Sequence, residues 1–226
     1  MSYEYRIDHI PKSTPCDRRP GLAMVPAYIT IHNTGNPTST AKNERGWLTN
    51  PSNNQTASYH IVVDEREAVE CIPLNENAWH AGDGNGDGNR KSIGIEICES
   101  GNYAKTLENA ADLVAKMLKE RGWGVDRLRR HYDWSGKICP RLMYDSGKWT
   151  GWTKFKAEVE KRLKTEPKPP TDTTAKLYVD GKRIDDGIII GGVTYFPGRA
   201  LANAVGATIS WDGATKTVKI KTKEAK

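Results

Sequence analysis

Strand-like runs rich in β-branched residues alternate with helical patterns over residues 1–164 of this 226-residue chain. A Pro/Thr-rich stretch then separates them from a short, turn-rich tail. These two observations predict an α/β layered domain, with helices packed on a sheet, followed by a small α+β C-terminal module.

The strands come first. AYITIHN (27–33), ASYHIVVD (57–64), EAVECI (67–72) and SIGIEIC (92–98) are apolar and β-branched, and YITIH and IGIEI alternate apolar with polar residues. TLENAADLVAKMLKERGW reads as a long helix. Leu107, Ala111, Val114 and Leu118 share one face, and Gly122 and Gly124 supply the stop. WTKFKAEVEKRLK repeats the pattern with Trp152, Phe155, Val159 and Leu163, as the closing helix of a domain would. Between two strands, AGDGNGDGNRKS (81–92) reads as a flexible surface loop. It lacks the twelve-residue calcium pattern with its closing Glu. The first domain therefore spans 1–164, a semi-rigid Pro/Thr linker 165–175, and the module 176–226. Within the module, DG and GG pairs predict hairpins, and PGRALANAVG predicts a short helix.

Composition narrows the functional classes. At 37% hydrophobic and 27% charged, the chain is globular in type. No apolar run approaches the roughly 18–20 residues of a membrane span, so no membrane partner is expected. The net charge of +6 suits a polyanion, but Lys and Arg are mixed with acids and form no focused stripe, which argues against nucleic acid. MSYEYRIDHIPKS has no apolar signal-peptide core, so synthesis in the cytoplasm is expected. The four cysteines fit neither a CxxC pair nor a dense disulfide framework. Cys71 and Cys98 sit in apolar runs as core residues, whereas Cys139 lies in a polar loop between Lys137 and Pro140.

That loop carries the chemistry. His131 and Cys139 bracket HYDWSGKICP, and His32 ends a strand. Two histidines and a cysteine are three good zinc ligands, and a catalytic zinc keeps its fourth position for water. Taken singly, each histidine is more often a packed side chain than a ligand. Glu96 sits inside the apolar strand IGIEIC, where an acid needs a partner or a task. Near a metal it could take a proton from water; on a half-exposed strand it could simply face solvent. Lys137 could stabilise an oxyanion or a thiolate. Tyr59 and His60 are adjacent in a strand and point to opposite faces, so one of them is expected to reach the site. His80, in AWHAG, is a candidate for substrate contact.

TIHNTG, ASYHIVVD, AWHAG, SIGIEIC and HYDWSGKICP, in that order, resemble the zinc-dependent N-acetylmuramoyl-L-alanine amidases of phage endolysins, which are related to peptidoglycan-recognition proteins. The resemblance implies a central, mostly mixed sheet flanked by helices, with zinc (Zn2+) in a groove held by His32, His131 and Cys139. It implies Glu96 as catalytic acid/base, Lys137 at the oxyanion, Tyr59 as a less secure catalytic position, and His80 and His60 beside substrate. The implied partner is peptidoglycan, with anionic wall polymers as a further one. The implied reaction splits the bond between N-acetylmuramic acid and L-alanine, at the wall, after holin-mediated release. A non-catalytic peptidoglycan-binding protein is the alternative, and Cys139 argues against it, since non-catalytic relatives usually lose that ligand. TYFPGRALANAVGATISWDGATKTVKI resembles the small domain at the N-terminus of certain copper amine oxidases and in Gram-positive surface proteins. It has no His or Cys to hold copper and is expected to be a wall-binding or spacer module.

Overall fold

The computed structural model describes residues 3–164, 174–190 and 193–222. They fall into two compact units, Met1–Thr165 and Glu166–Lys226.

The first unit is built on one six-stranded sheet. Its strands are β1 (Glu4–Ile7), β2 (Tyr28–Asn33), β3 (Ile61–Val63), β4 (Glu67–Glu70), β5 (Ser92–Ile97) and β6 (Leu128–Arg130). Their order across the sheet is β1-β4-β3-β5-β2-β6, and all neighbours run parallel except the β3–β4 hairpin. The helices are α1 (Ala41–Trp47), α2 (Asp87–Arg90), α3 (Tyr103–Glu120), α4 (Tyr132–Ser135) and α5 (Thr150–Lys164). This is the mixed sheet flanked by helices that the motifs imply.

Alternation along the strands divides the sheet into two faces. Ile29 and Ile31 of β2 and Ile93, Ile95 and Ile97 of β5 point one way. There they bury against Leu113, Val114 and Leu118 of α3 and Phe155 and Val159 of α5. Each fully buried isoleucine contributes roughly 1.5–3 kcal/mol. Thr30, His32, Gly94 and Glu96 occupy the opposite face. The register sets His32 directly beside Glu96. A smaller core that includes Ala41, Leu48, Val62, Val69, Cys71 and Cys98 seats α1 over the neighbouring strands β3 and β4, leaving β2 and β5 open on that face.

Local chemistry explains the element ends. Asn102 caps α3 by accepting from the Lys105 amide, so the helix begins earlier than the periodicity of TLENAADL suggests. Gly122 closes it at φ +65°, with the Trp123 amide on the Leu118 carbonyl and the Gly122 amide on Lys119. Thr40 and Asn43 form a capping box for α1, a helix too short to show a periodic face in the sequence. Strands β1 and β6 were likewise not anticipated, being short and largely polar. The 57–64 strand is confined to Ile61–Val63 because Ser58 hydrogen-bonds Trp79 instead of continuing the ladder.

The 81–92 segment departs from the expectation of a flexible loop. Asp83 accepts from the amides of Gly88 (2.7 Å) and Asn89 (3.2 Å). Asn89 Oδ1 accepts from those of His80 and Ala81, at 2.8 Å each. Gly88 and Asn89 are buried. The Asp and Asn residues brace the loop rather than loosen it.

The second unit has a three-stranded antiparallel sheet, β7 (Thr174–Val179), β8 (Lys182–Ile190) and β9 (Val193–Tyr195). Helix α6 (Gly198–Ala204) and the hairpin β10 (Thr208–Asp212)–β11 (Thr217–Lys221) follow. Asp180 (φ 49°) and Gly181 (φ 76°) make the β7–β8 turn, the left-handed pair that an Asp-Gly hairpin calls for. The expected Pro/Thr spacer lies outside the described residues up to 173. Thr174 and Ala175, counted with it from sequence, pair in β7 with Ile188 and Gly187.

Ile95 is fully buried at the centre of the sheet. Ile95→Ala is expected to lower the stability of the first unit by about 2–5 kcal/mol in urea unfolding. A loss under about 1 kcal/mol would show that the core is not organised around this strand.

Candidate metal centre

His32 closes β2 on the open face, and His131 follows β6, the strand beside it. Cys139 arrives on the loop after α4. The three side chains are buried, and their donor atoms lie within 4.8 Å of one another. His32 Nδ1 is 3.1 Å from His131 Nδ1 and 3.8 Å from Cys139 Sγ. Tetrahedral ligands at ordinary zinc bond lengths stand about 3.3 Å apart for two nitrogens and about 3.6 Å for nitrogen and sulfur. The two separations from His32 are close to those of ligands around a tetrahedral cation.

Asn33, which no sequence signal singled out, holds the cysteine in place. Its amide donates to Cys139 Sγ at 3.5 Å, and its side-chain oxygen accepts from the Leu142 amide at 3.0 Å. Burial, with Glu96 nearby, pushes the Cys139 thiol up to about 12, while the Asn33 amide and Lys137 oppose the shift. Burial pushes His32 well below its ordinary range, with His80, His131 and Lys137 adding to the effect. His131 is lowered to about 4 by burial and by Lys137. Neutral imidazoles and a reluctant thiol are the state a cation finds useful, since it binds imidazole lone pairs and ionises the thiol itself.

These groups open onto a groove of about 480 Å³. Glu96 and Lys137 line it, Glu96 Oε1 standing 4.0 Å from His32 Nδ1. Glu96 Oε2 is buried without a hydrogen-bond partner among the described residues. Burial, then the neighbouring Glu44, raises the Glu96 carboxyl to about 8, and Lys137 pulls it back. Lys137 is exposed on the α4–Cys139 loop.

The remaining candidates occupy different positions. Tyr59 lines the groove, but its hydroxyl donates to the Glu44 carbonyl at 2.9 Å. His60 lies beneath the groove rather than in it. Its Nδ1 accepts from the Gly94 amide at 2.9 Å and its Nε2 sits 2.8 Å from the Glu76 carbonyl, so both ring nitrogens serve the backbone. His80 reaches the groove wall, yet its two nitrogens are engaged with His32 and the Ser92 carbonyl, each at 3.1 Å. Of the adjacent pair, Tyr59 lines the groove and His60 does not; both precede β3, so strand alternation does not decide between them. Glu44, Trp47 and Trp79 line the groove without having been singled out. Glu44 and Trp47 come from α1, the helix whose pattern was too short to read.

The family model described as N-acetylmuramoyl-L-alanine amidase matches residues 22–142, and the chain belongs to that family. The copper amine oxidase N-terminal domain model matches residues 178–226. The amidase XlyB of Bacillus subtilis (strain 168) is 50% identical over 146 residues, covering 62% of this chain and 44% of the relative. CwlA of the same organism is 47% identical over 146 residues, covering 62% and 52%. The chain thus spans about half the length of the curated relatives it matches. The solved catalytic domain of XlyA aligns with a TM-score of 0.63 at 44% identity, covering 69% of this chain and 99% of that one. The PlyG catalytic domain aligns with a TM-score of 0.62 at 38% identity, covering 74% and 99%. Among the described residues, no helix is long and apolar enough to cross a membrane.

His60 and His80 are buried, with burial holding them at about 4 and about 3, below the ordinary 6.5. The unfolded chain therefore binds more protons than the native state between those values. Stability of the metal-free protein is expected to be full above pH 6.5 and to fall as the pH drops through about 4. Chemical denaturation across that window checks this; a flat profile would mean that these imidazoles ionise in place.

Proposed function

We propose that the first unit is a zinc-dependent hydrolase that cleaves the amide between the lactyl group of N-acetylmuramic acid and the L-alanine of the peptidoglycan stem peptide. The observation that carries this reading is the convergence of His32, His131 and Cys139 with Glu96 and Lys137 on one groove. Family membership and the amidase relatives support it.

Zinc bound by the three ligands supplies a water of lowered pKa and a Lewis acid for the scissile carbonyl. The chain's own groups do the rest. Glu96, held in a dry wall of the groove, accepts the proton of the attacking water and returns it to the leaving amine nitrogen. Its raised affinity for a proton suits a group that must first take one and then release it. Lys137 places a cation beside the developing oxyanion and, by the same field, favours the ionised forms of Glu96 and Cys139. Tyr59, tied to α1 through Glu44, keeps the groove wall in position rather than entering proton transfer. Trp47 and Trp79 offer aromatic faces on which a sugar or peptide can lie.

The second unit is proposed to hold the protein to the wall. Tyr178, Tyr195 and Trp211 are exposed on it, and aromatic side chains of this kind suit saccharide surfaces.

Glu96→Gln is expected to cost about 10²–10⁴-fold in hydrolysis while zinc content is retained. Mass analysis of digested peptidoglycan should show new L-alanine amino termini with the native chain. New reducing sugars would refute the amidase reading, and an intact digest would favour a wall binder. A chain ending at Lys164 is expected to cleave soluble muropeptides at an unchanged rate and to attack whole walls differently. Identical activity on intact walls would remove the targeting role.

A further inference from the structure

Behind the proposed ligands stands a second row of groups that the chemistry of the groove leaves unused. His80 is buried, and its ring closes a chain. Its Nε2 lies 3.1 Å from the Ser92 backbone carbonyl, and its Nδ1 lies 3.1 Å from His32 Nε2.

Hydrogen-bond direction can be read from one end of this chain. A carbonyl oxygen only accepts, so His80 carries its proton on Nε2. In a neutral imidazole a proton on Nε2 leaves Nδ1 as a bare lone pair. A bare lone pair needs a donor, so His32 carries its proton on Nε2. His32 Nδ1 is then a lone pair, and it is the atom that faces His131 Nδ1 and Cys139 Sγ. The His131 ring hydrogen-bonds the backbone of Ala81, the neighbour of His80. The His32 lone pair stands 3.1 Å from His131 Nδ1.

The loop over 81–92 makes this arrangement rigid. Asn89 Oδ1 takes the amides of both His80 and Ala81, and Asp83 takes the Asn89 amide. Gly94 lets the ring lie flat on the sheet: a Cβ there would stand 2.6 Å from the His80 ring.

We propose that His80, braced by this loop, is a positioning residue that sets the tautomer of His32 for metal binding, using the Ser92 carbonyl as its reference. It acts through His32. The inference rests on the reading of His32 as a metal ligand, but the tautomer itself is a property of the metal-free chain.

Long-range ¹H–¹⁵N NMR of the metal-free full chain reads the tautomers directly. Both His32 and His80 are expected as the Nε2–H form; an Nδ1–H form at either overturns the proposal. Two substitutions separate positioning from folding. In His80→Asn the amide oxygen stands where Nδ1 stood and still accepts from His32. In His80→Gln the amide reaches the Ser92 carbonyl but leaves His32 Nε2 without its acceptor. Zinc affinity, measured by chelator competition at matched melting temperatures, is expected to fall about 10–100-fold in His80→Gln and clearly less in His80→Asn. Equal losses in both variants, or none in either, overturn the proposal. Failure of the native chain to bind zinc would instead refute the metal reading, and the NMR result would stand by itself.

Discussion

The pairing of β2 with β5 is the constraint on which the rest of this unit depends. It runs parallel and in register from Tyr28 opposite Ser92 to Asn33 opposite Ile97. Because side chains alternate, that single register decides both faces together. Five isoleucines go to the helices, and His32 and Glu96 go side by side to the groove. A slip of one residue would bury the acid in the core and expose the isoleucines, so the energy of the apolar face enforces the geometry of the polar one. The placement of these two side chains borrows its precision from the hydrophobic core on the other side of the sheet.

The groove face is costly by the same logic. Four histidines, two glutamates and a cysteine are withdrawn from water within a few strands' width, and burial moves each of them toward its neutral form. Three of these groups are offset by backbone partners: Glu76 and Gly94 for His60, Ser92 for His80, and Asn33 for Cys139. Without a backbone partner at the proposed metal site stand a ring nitrogen of His32, one of His131 and a carboxylate oxygen of Glu96. Two imidazoles and a thiol that converge in this way could hold a metal ion.

Much of the site could be read in the chain. His32, Glu96, Lys137 and Cys139 are conspicuous because each breaks the character of its surroundings, an acid in an apolar strand or a thiol in a polar loop. The helices around Val114 and Val159 announced themselves by period, and the Asp180–Gly181 turn by composition. Glu44 and Trp47 gave no signal, since seven residues of α1 are too few to show a face and only its packing over β3 and β4 brings them to the groove. Gly, Asp and Asn in 81–92 suggested looseness, because those residues favour turns. The same residues make a braced loop when their side chains find the amides of His80, Ala81, Gly88 and Asn89.

By itself the sequence determined the kinds of elements, the two faces of the central strands and the identity of the groups able to hold a metal, because periodicity and residue chemistry are local properties. Tertiary structure alone decided which histidines meet. His32 and His131 are 99 positions apart and touch only because β6 pairs with β2. His60 and His80 look equivalent as isolated imidazoles, yet His60 bonds only the backbone, at Gly94 and Glu76, while His80 also reaches the proposed ligand His32. That difference lies in hydrogen-bond direction, which depends on the particular carbonyl or amide a folded backbone presents.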